Sequence, residues 1–168
     1  METNTSLVAL MGNPNSGKTA IFNLLTGLNQ KVSNYPGITV EKRKGTALLS
    51  QHIQAEILDM PGAYSLTPES LDEKIVAQQV LEWMHGEDKP VVIISVVDAG
   101  NLSRNLYLTT QILDLDIPVI VALNMMDRIK RKNHDINCQA LKKMLGAAAV
   151  VPLSARKKWG IEELQREI

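Results

Sequence analysis

Residues 12–19 read GNPNSGKT, and this run constrains the fold more than any other part of the chain. It fits the pattern G-x-x-x-x-G-K-[ST] in full, between an apolar run, LVALM, and a helical pattern, SGKTAIFNLLTG. Such a loop curls successive backbone N–H groups around an anion at the start of a helix, and its glycines allow that close approach. The motif therefore predicts a strand, a phosphate-binding loop and a helix, in this order.

The rest of the chain alternates strand-like apolar runs with helical segments, which predicts an α/β fold. We expect six strands in a mostly parallel sheet with one antiparallel edge strand, and helices on both faces. The predicted strands are LVALM, TALLS, IQAEILD, PVVIISVVD, IPVIVALN and AAVVPLS, with a turn near residues 50–52 between the second and the third. The predicted helices are SGKTAIFNLLTG, LDEKIVAQQVLEWMHG, NLSRNLYLTTQILDL, INCQALKKMLG and GIEELQREI.

Composition narrows the class of protein. The 168 residues suit one domain, and the 18 basic residues balance the 18 acidic ones, which gives a nucleic-acid partner no support. Cys138 is the single cysteine, so the chain alone forms neither a disulfide nor a multi-cysteine metal site. No apolar run reaches the roughly 18 residues of a membrane helix, and the N-terminus does not resemble a secretory signal. We expect a soluble domain from a reducing compartment, and a fragment of a longer protein because Ile168 falls inside a predicted helix.

The phosphate-binding loop supplies the first group of candidate ligands. Lys18 brings a full positive charge to the phosphates, and the Thr19 hydroxyl is a candidate ligand of Mg²⁺. The predicted nucleotide contacts here are Gly12, Asn13, Pro14, Asn15, Ser16, Gly17, Lys18, Thr19 and Ala20.

DMPG, residues 59–62, follows the third predicted strand. A carboxylate at the C-terminal end of a strand beside the loop suits Mg²⁺ binding, which we assign to Asp59. Gly62 is placed to use its N–H on a γ-phosphate. The same four residues also form a common turn, so DMPG indicates a metal site only in combination with the phosphate-binding loop.

Two later motifs concern the base of a nucleotide. NMMD follows the strand IPVIVAL, and an aspartate there accepts hydrogen bonds from the two donors on the edge of guanine, which adenine lacks. SAR follows the last strand, where a backbone N–H, best that of Ala155, is placed to reach guanine O6. The predicted contacts are Asn124, Met125, Asp127, Ser154, Ala155 and Arg156. The four motifs, in this order and each after a strand, predict a small domain that binds GTP and GDP.

In such a domain, the polar segment NYPGITVEKRKG, residues 34–45, is a candidate first switch that closes over Mg²⁺ and the γ-phosphate. We choose Thr39 as the Mg²⁺ ligand and predict nucleotide contacts from Gly37, Ile38 and Thr39. Thr26, Thr46 and Thr67 are the alternatives, at a helix end, in a strand and in a loop.

These segments resemble the N-terminal G domains of the ferrous iron transport protein B family. The likeness covers nearly all of the chain, and NLSRNLYLTTQ and ITVEKRKG separate it from GTPases associated with ribosomes and tRNA. It is carried by GNPNSGKTAIFN, NYPGITVEKRKG, DMPGAYSL, SLDEKIV, VVDAGNLSRNLYLTTQILDLDIPVIVALNMMD and SARKKWGIEEL. Tyr35 departs from the tryptophan that members often have, but an aromatic ring is kept.

The resemblance implies a slow GTPase switch that regulates or drives Fe²⁺ uptake, at the cytoplasmic face of the bacterial inner membrane. Residues 1–168 would be its G domain, and its partners would be guanine nucleotide and the family's helical and transmembrane regions, which this chain does not contain. Homo-oligomer formation stays open. The alternatives are an assembly GTPase that acts on RNA or the ribosome, and a nucleotide-binding module with negligible hydrolysis.

The expected catalytic residues are Asn15, Lys18, Thr39 and Gly62. Ala63 stands where many GTPases have a water-orienting glutamine, and no arginine precedes Thr39 in the switch, so hydrolysis should be slow. The resemblance implies K⁺ as a remedy, with Asn15 as its ligand beside switch carbonyls near Ser33 and Tyr35.

Overall fold

The strands form one mixed sheet. A computed structural model describes residues 6–50, 53–86 and 88–168. Within these ranges the sheet has seven strands in the order β2-β3-β4-β1-β5-β6-β7. Their bounds are β1 Ser6–Gly12, β2 Gln30–Asn34, β3 Glu41–Leu48, β4 Gln54–Asp59, β5 Val92–Asp98, β6 Val119–Asn124 and β7 Ala149–Pro152.

The predicted strand count was therefore wrong by one, because β2 lies in the polar segment after the first helix. Four of its five residues are exposed, so it carries no alternating apolar pattern. β3 also begins earlier than TALLS, at Glu41. It runs antiparallel to both β2 and β4, so the predicted antiparallel pairing at one edge of the sheet is confirmed, with β2 added outside it. The predicted turn between β3 and β4 includes residues 51 and 52, which lie outside the described residues.

The helices cover both faces of the sheet. Their bounds are α1 Lys18–Thr26, α2 Leu71–His85, α3 Leu102–Leu113, α4 Met126–Arg131, α5 Cys138–Leu145 and α6 Ile161–Glu167, with 3-10 turns at Ala99–Asn101 and Ala155–Lys157. Phe22 of α1 and Leu164 of α6 are fully buried in the core on one face. Val76 of α2 and Ile112 of α3 are buried in the core on the other. The described helices include none with the length and apolar character that a membrane crossing demands.

Helix ends follow local chemistry. Gly27 and Gly146 end α1 and α5 in the left-handed conformation, which a residue without Cβ adopts most easily. Ser70 begins α2 as part of a capping box with Glu73. The six-residue α4 was not predicted, because its polar sequence offers only one buried position, Met126.

The central strands β1, β5 and β6 are parallel and almost wholly buried. They read as continuous apolar runs because both of their faces are covered. Their C-terminal ends therefore lie at the same edge of the sheet, where the predicted site loops follow them.

Candidate functional site

The loop between β1 and α1 curls around an open cavity of about 350 Å³. Asn15 and Gly17 adopt positive φ angles of 64° and 89°, and Ser16 N donates to Asn13 O at 3.2 Å. The cavity is lined by Asn13, Pro14, Asn15, Gly17, Lys18, Thr19, Ala20, Gly62 and Asp72. The structure thus brings Gly62 together with most of the predicted loop contacts, whereas Gly12 and Ser16 do not line the cavity.

Glycine is required in this loop by close contacts. A Cβ on Gly17 would lie 2.2 Å from Asn124 Nδ2, and one on Gly12 would lie 2.7 Å from Val96 O. A Cβ on Gly62 would approach Pro14 Cγ at 3.1 Å. The loop therefore packs directly against the base motif and the DMPG segment, with no room for side chains between them.

Lys18 and Asp59 form a buried ion pair at the floor of the site. Lys18 is the first residue of α1, and Asp59 is the last residue of β4. Because β1 and β4 are parallel neighbours, the strand end carries the carboxylate to the loop. The pair places a cation and an anion where phosphates and a divalent metal ion would require them.

The base motif joins three loops through one side chain. Asn124 Nδ2 donates to Ser16 O at 2.9 Å, and Asn124 Oδ1 accepts from Ala155 N at 3.0 Å. Met125 turns the chain with a φ of 64°, so that Asp127 falls in the first turn of α4. The Ala155 N–H that we expected to face guanine O6 is therefore engaged by Asn124 in this structure.

The two carboxylate oxygens of Asp127 have different surroundings. Its Oδ1 accepts from Ser154 Oγ at 2.9 Å. Its Oδ2 is buried and accepts no hydrogen bond from the residues that the structure describes, while Arg131 Nη2 lies 3.6 Å from it. A buried carboxylate oxygen that accepts no hydrogen bond is unfavourable, so a ligand that donates hydrogen bonds to this atom would be stabilised. Arg156 is exposed in the adjoining 3-10 turn.

The candidate first switch lies apart from the cavity. Gly37, Ile38 and Thr39 stand at the tip of the β2–β3 hairpin, which Tyr35 N closes by donating to Val40 O at 3.0 Å. Thr39 is exposed and is not among the nine residues that line the cavity. The structure does not bring these three predicted contacts to the loop, because strand pairing holds the hairpin at the sheet edge.

Tyr35 anchors this hairpin. The side chain is 7% exposed, its hydroxyl donates to Met60 Sδ at 3.7 Å, and Lys42 Nζ lies 5.2 Å from the ring centroid. Burial, together with the negative charges of Asp59 and Glu82, raises the pKa of Tyr35 to about 12. The first switch is thus tied to the DMPG segment by a neutral, buried phenol.

Glu73 holds the loop that follows Gly62 through hydrogen bonds to its backbone. Its carboxylate accepts from the backbone N–H groups of Tyr64 at 3.1 Å, Glu69 at 3.0 Å and Ser70 at 3.1 Å. The Glu69 and Tyr64 bonds hold the pKa of Glu73 below its usual value. Ala63, in the same loop, is 1% exposed and donates its N–H to Gly12 O at 3.1 Å.

Sequence reasoning missed Asp72, Tyr64 and Arg104. Asp72 lines the cavity from the first turn of α2, and the acidic start SLDE was its only signal. The Arg104 guanidinium stacks 4.4 Å from the Tyr64 ring centroid, and Asn13 Nδ2 donates to Arg104 O at 3.4 Å. These contacts join segments far apart in sequence, so only the fold reveals them.

Comparisons with known proteins agree in pointing to one family. The family model for ferrous iron transport protein B matches residues 6–168. The Fe(2+) transporter FeoB of Legionella pneumophila is 46% identical over 163 residues, which make up 95% of this chain and 21% of that protein. The chain thus spans about a fifth of the length of the curated relatives it matches.

Two solved structures are similar over the whole fold. The cytosolic domain of L. pneumophila FeoB superposes with a TM-score of 0.87 at 46% identity, covering 96% of this chain and 62% of that chain. An NFeoB mutant from S. thermophilus bound to GDP gives a TM-score of 0.87 at 43% identity, covering 97% of this chain and 61% of that chain.

Proposed function

The chain belongs to the ferrous iron transport protein B family, and on that premise we propose that it binds and slowly hydrolyses GTP as the switch domain of an Fe²⁺ transporter. In this proposal residues 1–168 form the G domain. The relatives, about five times longer, motivate its attachment to helical and transmembrane regions at the cytoplasmic face of the bacterial inner membrane.

The observation that carries guanine specificity is the buried Oδ2 of Asp127, which accepts no hydrogen bond within the described part of the chain. Guanine offers N1–H and N2–H₂ as adjacent donors, and a carboxylate is the side chain that accepts both. Asn124 links the base loop to Ser16 and Ala155, so it holds Asp127 and the phosphate loop in a fixed relation. Adenine has no such donor pair and would leave the oxygen unpartnered.

The phosphates would lie in the cavity against the backbone of residues 15–19. Lys18 now forms an ion pair with Asp59. When the nucleotide binds, Lys18 would contact phosphate oxygens instead of the Asp59 carboxylate. Asp59 and the exposed Thr19 hydroxyl fit Mg²⁺, which prefers oxygen ligands, and Thr39 would join them after the hairpin rearranges. Bound Mg²⁺ would neutralise part of the phosphate charge.

Asn15 is the candidate ligand of K⁺. It is exposed, lines the cavity and holds a left-handed backbone conformation that turns the loop at this residue. Its side-chain carbonyl oxygen suits a monovalent cation, whose positive charge would act beside the phosphates as an arginine does in other GTPases.

Slow hydrolysis is expected because the position after Gly62, next to the γ-phosphate, offers no side chain that could orient a water molecule. The Ala63 side chain is buried and has no polar atom to orient a water molecule. Gly62 would offer its N–H to the γ-phosphate. Without a supplied catalytic group, turnover in the range of roughly 10⁻⁴ to 10⁻² s⁻¹ is expected.

Replacing Asp127 tests guanine recognition. Asp127→Asn should weaken GDP binding about 100-fold, because two hydrogen bonds to a charged acceptor are lost, and should create affinity for xanthosine diphosphate. Isothermal titration with the two nucleotides measures both effects. Asp135→Asn, an exposed carboxylate eight residues on, is the matched control. Unchanged GDP affinity in Asp127→Asn would contradict the assignment.

The cation proposal has a separate test. Single-turnover GTP hydrolysis should be faster in K⁺ than in Na⁺, and Asn15→Ala should remove the difference while GDP still binds. Equal wild-type rates in the two salts would sink the K⁺ proposal alone. No measurable hydrolysis in either salt would instead favour a nucleotide-binding module without enzymatic activity.

A further inference from the structure

Charge is strongly segregated along this electrically neutral chain. Residues 127–160 hold nine of the 18 Lys and Arg residues but only two of the 18 Asp and Glu residues. This segment therefore carries an excess of seven positive charges, and the rest of the chain carries the matching negative excess. Although the net charge of the chain is zero, one end of the domain is strongly basic.

Seven of these basic side chains lie in, or directly after, two neighbouring elements at the β7 edge of the sheet. The elements, α4 and the Ala155–Lys157 turn, are joined by Met126 N donating to Leu153 O at 3.2 Å and by Ser154 Oγ donating to Asp127. All seven side chains are exposed. We call this surface the basic face: Arg128, Lys130, Arg131, Lys132, Arg156, Lys157 and Lys158.

Trp159 stands within the basic face. Its side chain is 41% exposed, and Lys130 Nζ lies 4.2 Å from the ring centroid. The other tryptophan, Trp83, is 3% exposed in the core. A tryptophan flanked by lysines combines an amphipathic ring with positive charge, and this combination is typical of surfaces that meet lipid headgroups.

We propose that the basic face docks on an anionic lipid surface. The proposal rests on the proposed function, since a domain attached to a transporter stays within reach of the membrane. Clusters of four to eight Lys and Arg residues bind acidic headgroups, with about a fivefold gain in partitioning for each residue close to the surface. The acidic remainder of the chain is repelled by the same surface, so attraction and repulsion together orient the domain.

Lipid fits this face better than nucleic acid does. Proteins that bind single strands stack successive bases on several aromatic rings along a groove, whereas Trp159 is the one aromatic residue between 127 and 160. The face also lacks a helix long enough to enter a DNA groove, since α4 has six residues. Diffuse attraction by a planar, negatively charged surface requires neither feature.

Docking would take place beside the base site. Arg131 is the cation nearest to Asp127 Oδ2, and Arg156 adjoins the Ser154 loop. A membrane held against α4 would restrict the movement of both elements that enclose the base. Nucleotide release should therefore be slower on anionic vesicles than in solution.

The test is co-sedimentation of the 168-residue chain with vesicles of phosphatidylcholine, with and without phosphatidylglycerol, in the absence of nucleotide. Binding is expected only with phosphatidylglycerol, and it should weaken steeply at high salt, where the screening length falls to about 3 Å at 1 M. Iodide quenching of Trp159 should decrease on binding. The variant Lys130→Glu, Lys132→Glu, Lys157→Glu should partition at least about 100-fold more weakly.

The matched control is Lys31→Glu, Lys74→Glu, Lys89→Glu, which changes the net charge equally at exposed lysines on other elements. Equal loss in both triple variants would overturn the proposal, because it would show a net-charge effect. Absent vesicle binding would also overturn it, as would preferential binding of RNA in competition. None of these readouts depends on GTP binding, so failure here leaves the proposed function untouched.

Discussion

At the scale of single residues, the site depends on a few side chains and one glycine whose replacement would change how the site binds a ligand. Asp127 keeps one carboxylate oxygen that accepts no hydrogen bond from any described residue, and Asn124 joins the base loop to the phosphate loop. Gly17 makes that junction possible, because its missing side chain is where Asn124 lies. The sequence motif predicts the glycine, but the reason for it, contact with a residue 107 positions later, appears only in the fold.

Gly17→Ala should therefore abolish tight nucleotide binding. The new Cβ would meet Asn124 Nδ2 at 2.2 Å, and the φ of 89° is strained for any residue with a side chain. We expect GDP affinity to fall at least about 100-fold, with a loss of roughly 2 kcal/mol in unfolding free energy. Titration calorimetry and urea unfolding measure the two effects.

Gly146→Ala is the control for backbone strain. Gly146 has a φ of 69°, but a Cβ there would have no neighbour within 4 Å. It should lose about 1 kcal/mol of stability from the left-handed conformation and keep its GDP affinity. If both variants lost affinity equally, close packing on Asn124 would not be the cause.

At the scale of elements, the sequence predicted the strands and helices that are buried in the core and missed two that are mostly exposed. The buried strands β1, β5 and β6 read as apolar runs, and the helical pattern of LDEKIVAQQVLEWMHG predicted α2. β2 and α4 are polar and exposed, so no periodicity marked them. The loops of the site were predictable because each follows a buried strand. The position of Thr39 was not, because it depends on hairpin pairing.

Glu73 provides a test at this scale. Glu73→Gln should lower the unfolding free energy at neutral pH by about 2 kcal/mol, because the carboxylate accepts three backbone N–H bonds as an anion. Its depressed pKa means that this contribution is present above the ordinary glutamate pKa of about 4.3 and is lost as pH falls through the folded-state value.

Urea unfolding as a function of pH measures the effect. The difference between wild type and Glu73→Gln should shrink toward acid, where both side chains are neutral. Glu69→Gln, whose side chain is exposed in the same loop, should change stability little at any pH. A difference that stayed constant across the acid range would count against a charge-dependent role.

At the scale of the whole molecule, one ligand would touch loops from most of the sheet. The cavity, the Lys18–Asp59 pair and the base motif follow β1, β4 and β6, and the Ser154 loop follows β7. A ligand that binds all of them links the stability of the domain to its own concentration. The motif loops made this arrangement predictable, but the position of the switch hairpin was not, because β2 is mostly exposed and carries no apolar pattern.

GDP should therefore raise the melting temperature of the whole chain in one cooperative step. At 100 times its dissociation constant, a ligand contributes about 2.7 kcal/mol, which for a chain of this size shifts the melting temperature by roughly 5–10 °C. Differential scanning calorimetry with GDP and with ADP measures the effect. ADP should give no shift, and an equal shift with both nucleotides would argue against guanine specificity.

The anchored hairpin has one more consequence. β2 is an edge strand that leads into the candidate first switch. It opposes Lys31 to Lys44 and Val32 to Arg43, and these pairings hold it weakly. Whenever β2 departs, the outer backbone groups of β3 lose their partners and become a template for another strand. The run Lys42, Arg43, Lys44 would then act as a gatekeeper, because charged side chains on an open edge strand disfavour pairing with another strand. Lys44 therefore has two effects: it weakens the pairing of β2 with β3, and it would help to protect the open edge from aggregation.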